Sequence, residues 1–217
     1  MNCCSSSPQP TPGTGRFFSK RSGKYLKTFR RKGLAKEQRY LIEGISKRSL
    51  SGRSILEIGC GVGGLHLSLL QNGAGKASGI DLSEGMIQNA RSLAQELFLT
   101  ERTEYLQGDF VEHHAAVKSA DIVILDKVVC CYEDVTSLVE KSMSKAEQIY
   151  ALTCPKSNLL VKCMLSIPIT LGTLLHWSFH PYWHDWDAMT ASIEQSGFRP
   201  LYKNSTFFWA VHVFERR

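Results

Sequence analysis

Apolar and polar positions along this chain follow two alternating periods. Ile55–Ile58, Lys76–Ile80, Thr103–Gln107, Asp121–Asp126 and Gln148–Thr153 are short apolar-rich runs that end in turn signals, and they read as strands. Pro155 is expected to stop the fifth. Between the strands the period lengthens. Residues 65–72 read as a short helix ended near Gly73, and Ser83 as the N-cap of a helix running to about Leu97. Val135, Leu138, Val139 and Met143 make one face of another helix. Five strand–helix steps predict an α/β fold, with a parallel sheet and helices on both faces. The back third predicts a strongly apolar helix over 158–176 bent at Pro168, a helix over 186–196, and two strands near 199–204 and 206–214.

The front end has its own pattern. Phe18, Tyr25, Leu26 and Phe29 fall broadly on one side of a helix from Phe17 to Lys32, which Gly33 closes. Residues 34–47 predict a second helix with Tyr40, Leu41 and Ile45 inward. Residues 1–15, rich in Ser, Pro, Thr and Gly, read as a disordered tail. The expected organisation is a tail (1–15), a basic helical segment (16–52) and one domain (53–217).

Charge sharpens that division. Residues 1–53 hold 13 Lys/Arg against 2 Asp/Glu, a net of +11; the remainder holds 13 against 18, a net of −5, and the sum is the chain's +6. The basic front end suits a solvated face or an anion-attracting rim, and also a transit peptide or a nucleic-acid arm. The seven cysteines lack C-x-x-C spacing, so a zinc site or a disulfide scaffold is not expected, and a reducing cytoplasmic setting is. Cys3-Cys4 reads as two free thiols rather than a metal or lipid site. The longest apolar stretch, 163–175, is broken by Pro168 and Gly172 and falls short of the roughly 20 residues a membrane-spanning helix needs. No signal-peptide core is visible near the start, and Asn2 excludes N-myristoylation.

The candidate chemistry centres on Ile55-Leu-Glu57-Ile-Gly59-Cys60-Gly61-Val-Gly63-Gly64. A strand ending in glycines before a helix start offers bare backbone and free N–H groups to a ligand. Gly59, Gly61 and Gly64 also satisfy the dinucleotide spacing G-x-G-x-x-G. Glu57 discriminates, because a carboxylate there repels a pyrophosphate and favours a ligand carrying an ammonium group. Asp81, 24 positions later at the end of the second strand, stands where a βαβ unit places the acid that accepts from ribose hydroxyls. Gly108-Asp109-Phe110 follows the third strand, 28 positions after Asp81.

Glu57 to Gly63 resembles the first motif of class I S-adenosylmethionine-dependent methyltransferases, and the spacing of Asp81 and Asp109 extends the likeness. The resemblance implies a Rossmann-like, doubly wound sheet of seven strands with the last antiparallel, and S-adenosylmethionine as cofactor. It implies a cofactor site of Glu57, Gly59, Cys60, Gly61, Gly63, Asp81, Leu82, Met86, Asp109, Phe110 and Asp126. Leu82 and Met86 would flank the adenine, with Met86 as plain core the alternative; Asp109 would accept from its amino group and Phe110 lie against the ring. Asp126 faces the transferred methyl as a base, with His113 and His114 behind it, or positions the cofactor's methionine end. The front helices would form a lid, from which Tyr25, Arg30 and Arg31 reach the cofactor's carboxylate or stay solvated. The local text Leu125 to Tyr132 resembles small bacterial members, some magnesium-protoporphyrin O-methyltransferase-like, and lacks the Asn-Pro-Pro-Tyr of the amino-methylating branch.

The aromatic segment Trp177–Trp186 falls where the family inserts its substrate-recognition element, and suggests a flat cavity for a ring-containing or apolar acceptor, or a dimer face. His176, His180 and His184 recur every four residues, but Pro181 interrupts them and no metal is expected. The expected function is methyl transfer to a small molecule. The rivals are a nicotinamide-dependent oxidoreductase, a cofactor-binding module without catalysis, and an RNA methyltransferase drawn by the basic front end.

Overall fold

The computed structural model describes residues 13–174, 179 and 181–217, setting aside the side chains at 168 and 171–173. Five parallel strands, β1 (Ser54–Ile58), β2 (Lys76–Asp81), β3 (Thr103–Gln107), β4 (Ala120–Asp126) and β5 (Ala146–Pro155), join a closing hairpin of β6 (Phe198–Ser205) and β7 (Trp209–Arg216). They make one seven-stranded sheet in the order β3-β2-β1-β4-β5-β7-β6, with β7 antiparallel to both neighbours. The chain steps outward from β1 to β3 and then returns beside β1 as β4, so strand order reverses between β1 and β4. Crevices at the carboxyl ends of strands form at such a reversal.

Alternating side chains bury both faces. Leu56, Ile58, Val123, Leu125, Leu152 and Phe214 point to the layer built by α7 (Val135–Ser144) and α9 (Trp186–Gln195). Ile55, Ile122, Ile124, Ile149, Val211 and Val213 point to the opposite layer. That layer contains α3 (Lys36–Ile45), α4 (Gly64–Gln71) and α5 (Glu84–Glu96). Leu41 and Ile45 of α3 are fully buried, each stabilising by about 1.5–3 kcal/mol. A Cβ on Gly44 would lie 2.6 Å from Val213, which shows how closely α3 seats on β7.

The front end differs from expectation. Helix already begins at Thr14, and the helix expected over 17–32 is two: α1 (Thr14–Ser19) and α2 (Ser22–Lys32). The break lets α1 bear on the start of α5, where a Cβ on Gly15 would meet the Leu82 carbonyl oxygen at 2.7 Å. The fifth strand is not stopped before Pro155; it includes Pro155, paired with Trp209 at the strand's last position. Helix α8 (Leu159–Leu174) runs unbroken through position 168. The tail through residue 12, with Cys3-Cys4, and Trp177, His176 and His180 lie outside the described residues. No helix among the described residues is long and apolar enough to cross a membrane.

Candidate functional site

The turn after β1 is tied down by backbone and by one carboxylate. Gly59 N–H and Cys60 N–H both donate to the Ile80 carbonyl, at 2.7 and 3.0 Å. Gly61, with φ +54°, sits in open space: a Cβ there would meet nothing within 4 Å. Gly59 is enclosed, since a Cβ would lie 2.4 Å from Val128. The turn therefore leaves its bare surface at Gly61.

Asp81 fastens the turn to β2. One carboxylate oxygen accepts from Gly61 N–H at 2.9 Å and the other from Ser83 N–H at 2.8 Å. Burial pushes its carboxyl above the usual range, against the pull of those two donors. Both partners are backbone, so each oxygen keeps a lone pair for further hydroxyl donors.

Glu57 is buried and turned away from open solvent. Its Oε2 accepts from His66 Nδ1 at 2.6 Å and from His66 N–H at 3.3 Å, while His66 Nε2 lies 2.9 Å from the Tyr105 hydroxyl. Burial pushes the Glu57 carboxyl up more than His66 draws it down. His66 belongs to the first turn of α4 and stands alone among leucines there. A titratable residue in that apolar run was the signal in the sequence; the partnership itself was not legible.

Asp109 caps α6 (Phe110–His113): Oδ1 accepts from Val111 N–H at 2.7 Å and Oδ2 from the Tyr132 hydroxyl at 2.9 Å. Glu57, Asp81 and Asp109 thus stand at the carboxyl ends of β1, β2 and β3, three adjacent strands. Cys60 is buried as a protonated thiol, pushed well up by burial and by the Asp81 and Glu57 charges. Met86 and Phe110 are both buried, in opposite core layers, and Leu82 presents its carbonyl to α1.

Asp126 ends β4. Thr153 Oγ1 donates to its Oδ1 at 2.7 Å, and Gln38 Nε2, from α3, donates to its Oδ2 at 2.8 Å. The next residue, Lys127, has φ +61°, a left-handed conformation that is strained for a side chain with a Cβ. Its N–H donates to Thr153 Oγ1 at 2.7 Å, which holds the bend. Its ammonium lies 2.6 Å from Glu37 and 3.8 Å from Asp126. Burial alone lowers the Lys127 pKa, but these two carboxylates outweigh it and raise it.

The front helices pack on the starts of α4 and α5, the helices that follow β1 and β2. Ser19 Oγ lies 2.9 Å from Ser83 Oγ, and Phe29 packs where a Gly64 Cβ would stand, 2.5 Å from its ring. Arg30 does not turn inward; it pairs with Glu96 on α5. Tyr25 is half exposed and Arg31 exposed. His113 packs on Gly108 and His114 Nδ1 on the Val111 carbonyl, and neither bonds Asp126. The described part of the aromatic segment docks beside the same region: Tyr182 N–H donates to the Cys130 carbonyl at 2.8 Å, and His184 Nε2 to the Tyr132 carbonyl at 2.9 Å. Phe179 meets Phe17 and Phe18 of α1 at ring separations of 4.9 and 5.1 Å. Among the described residues no three His, Cys, Asp or Glu side chains converge as a metal site.

Comparison with known proteins finds likeness in sequence over part of the chain and in fold over most of it. Residues 55–146 match the family described as methyltransferase domain. Ribosomal protein L11 methyltransferase of Yersinia pseudotuberculosis is 36% identical over 84 residues, 38% of this chain and 27% of that protein. The same protein of Pectobacterium carotovorum is 41% identical over 76 residues, 35% and 24% of the two chains. The chain thus spans about a quarter of the length of these curated relatives. Among solved structures, magnesium protoporphyrin IX methyltransferase of Synechocystis PCC 6803 with bound SAH superposes with a TM-score of 0.71 at 20% identity. It covers 96% of this chain and 100% of that one. An O-methyltransferase family protein of Burkholderia thailandensis gives 0.70 at 12% identity, over 95% and 61%. At these identities the solved structures establish the shared fold.

Proposed function

Because residues 55–146 match the family described as methyltransferase domain, we propose that this chain is a class I S-adenosylmethionine-dependent methyltransferase that methylates a small, ring-containing or apolar acceptor. The carrying observation is the set of three carboxylates on adjacent strand ends, one of which, Asp81, holds the open glycine Gly61. The residues present fit the cofactor. Gly61 offers an uncovered backbone, and Asp81 retains acceptor capacity for a ribose. Asp109, next to Phe110, serves the adenine end, with Leu82 and Met86 approaching it from the start of α5. Gly61 presents its backbone to the methionine end, Gly59, Cys60 and Gly63 shape the turn that carries it, and Glu57 acts from beneath them through His66.

When bound, S-adenosylmethionine supplies a methyl group on a sulfonium, already activated for displacement. The chain's own work is then to hold the acceptor in line and keep water out, which is where proximity and orientation act. Asp126 suits positioning better than proton abstraction, because Thr153 and Gln38 already donate to it and Lys127 stands beside it. The basic helical segment (16–52) serves as the lid. Its α1 meets Phe179, and Tyr182 and His184 dock beside the turn after β4, so aromatic side chains gather on this side of the site, which supports a flat acceptor. The curated relatives are named for a ribosomal protein, but their likeness is confined to 84 residues or fewer. A cytoplasmic setting fits the unpaired cysteines.

Incubation with methyl-labelled cofactor and cell extract tests this reading. The expected result is label in a low-mass, solvent-extractable product. Label confined to protein or RNA would overturn the acceptor class, and label in no acceptor would leave a binding module.

A further inference from the structure

A cavity lies away from the glycine turn, at the carboxyl ends of β5 and β6 and the start of β7, beside the first turn of α9. Its volume is about 400 Å³, at the size of a ring-bearing fragment. Its floor is Cys154, Trp186 and His212, all buried; its rim carries Lys156, Asp187 and Lys203. Two features of this lining are unsatisfied. Trp186 is 2% exposed, yet its Nε1–H has no hydrogen-bond partner, the one such buried side-chain atom among the described residues. A buried donor left unmade is costly and points to a partner. In addition, neither lysine ammonium and not the Asp187 carboxylate forms an ion pair among the described residues.

We infer that this cavity is an anion-recognition subsite for the acceptor, taking a carboxylate or phosphate group against Lys156, Lys203 and the Trp186 indole N–H. Two ammonium groups stand against one carboxylate, so the rim is net positive, and the floor residue Trp186 carries a donor that nothing else satisfies. His212 is held neutral by burial and by the Lys203 charge, its pKa pushed down to about 4, so it contributes a hydrogen bond without adding charge.

The cavity is placed to serve the transfer site. Pro155 at its edge pairs with Trp209, and Lys127, next to Asp126, holds its ammonium 5.7 Å from the Trp209 ring centre. β4 and β7 are two strand spacings apart, about 10 Å. An acceptor anchored in the cavity must span roughly that distance to bring its reacting atom over the end of β4. The acceptor is thus an elongated ring-containing anion. This rests on the methyltransferase reading.

Full-length protein labelled with ¹⁵N-tryptophan tests it, with 4-hydroxybenzoate, its methyl ester and inorganic phosphate as probes. The Trp186 indole signal is the one missing in Trp186→Phe, or is assigned directly by triple-resonance spectra if that variant does not fold. It should shift saturably with the acid, with phosphate or with both, which tells carboxylate from phosphate recognition, and not with the ester. Lys203→Met should weaken the response at least tenfold, with the other indole signals unchanged. No saturable shift with either anion, equal response to acid and ester, or an unaffected Lys203→Met variant would overturn the inference. S-adenosylhomocysteine binding on the same sample separates the two claims. If it binds and the indole stays still, the subsite fails alone; if it does not bind, the methyltransferase reading fails whatever the indole does.

Discussion

His66 Nδ1 donates to the Glu57 carboxylate at 2.6 Å in a place that solvent does not reach, both side chains being at most 3% exposed. With Nδ1 as donor, Nε2 accepts the Tyr105 hydroxyl proton at 2.9 Å. The carboxylate that the sequence presents as a ligand-facing group is therefore the buried end of a three-residue chain, and it acts on the glycine turn from below.

Removing one member of that chain strands the rest. His66→Ala leaves a buried carboxylate without its principal donor, and should cost on the order of 3–5 kcal/mol in denaturant unfolding. Tyr105→Phe removes only the outer hydroxyl and should cost about 1 kcal/mol. Equal losses in the two variants would show that the chain does not act in this order.

The glycines of the turn separate folding from binding. Gly61→Ala meets no atom within 4 Å and carries only the penalty of a positive φ, about 1–2 kcal/mol. Gly59→Ala carries that penalty and also collides with Val128 at 2.4 Å. The expected outcome is a folded Gly61→Ala protein with weakened cofactor affinity and a Gly59→Ala protein with a clearly lower Tm. Thermal unfolding and calorimetry on both variants check it.

Asp81 uses both oxygens on backbone N–H groups, and Asn has one acceptor oxygen. Asp81→Asn should leave one of these N–H groups without its charged acceptor, costing about 1.5–3 kcal/mol in unfolding. Because the ribose hydroxyls lose an acceptor too, it should weaken S-adenosylhomocysteine binding by roughly tenfold. Unchanged affinity would place the cofactor's ribose elsewhere.

His212 gives the fold a pH dependence with a definite sign. Burial, then the Lys203 charge, lowers its pKa to about 4 from an ordinary 6.5. The unfolded chain takes up a proton first as pH falls, so the contribution is fully present above pH 6.5 and is lost progressively toward pH 4. The upper bound is roughly 3 kcal/mol. A His212→Gln variant should flatten the stability–pH curve in that window, measured by urea unfolding at several pH values.

Much of this architecture could be read from the chain because its strands end on acids or glycines at set intervals. Asp81, Asp109 and Asp126 each close a strand or follow one directly, and the structure places them there. What escaped the sequence is contact between distant segments. Gln38 reaches Asp126 across 88 positions, and no local pattern encodes that. The α1–α2 break at Lys20 and Arg21 was hidden by an apolar periodicity that runs through it. Pro155 reads as a stop, yet it is the last residue of β5, paired with Trp209 beyond the point where β4 ends its pairing at Thr153.

Calorimetric titration of the purified protein with S-adenosylhomocysteine and, separately, with NADH tests the central claim most directly. The account predicts saturable one-site binding of S-adenosylhomocysteine, weakened in Asp81→Asn, and no heat of binding with NADH. Saturable binding of NADH with none for S-adenosylhomocysteine would contradict it.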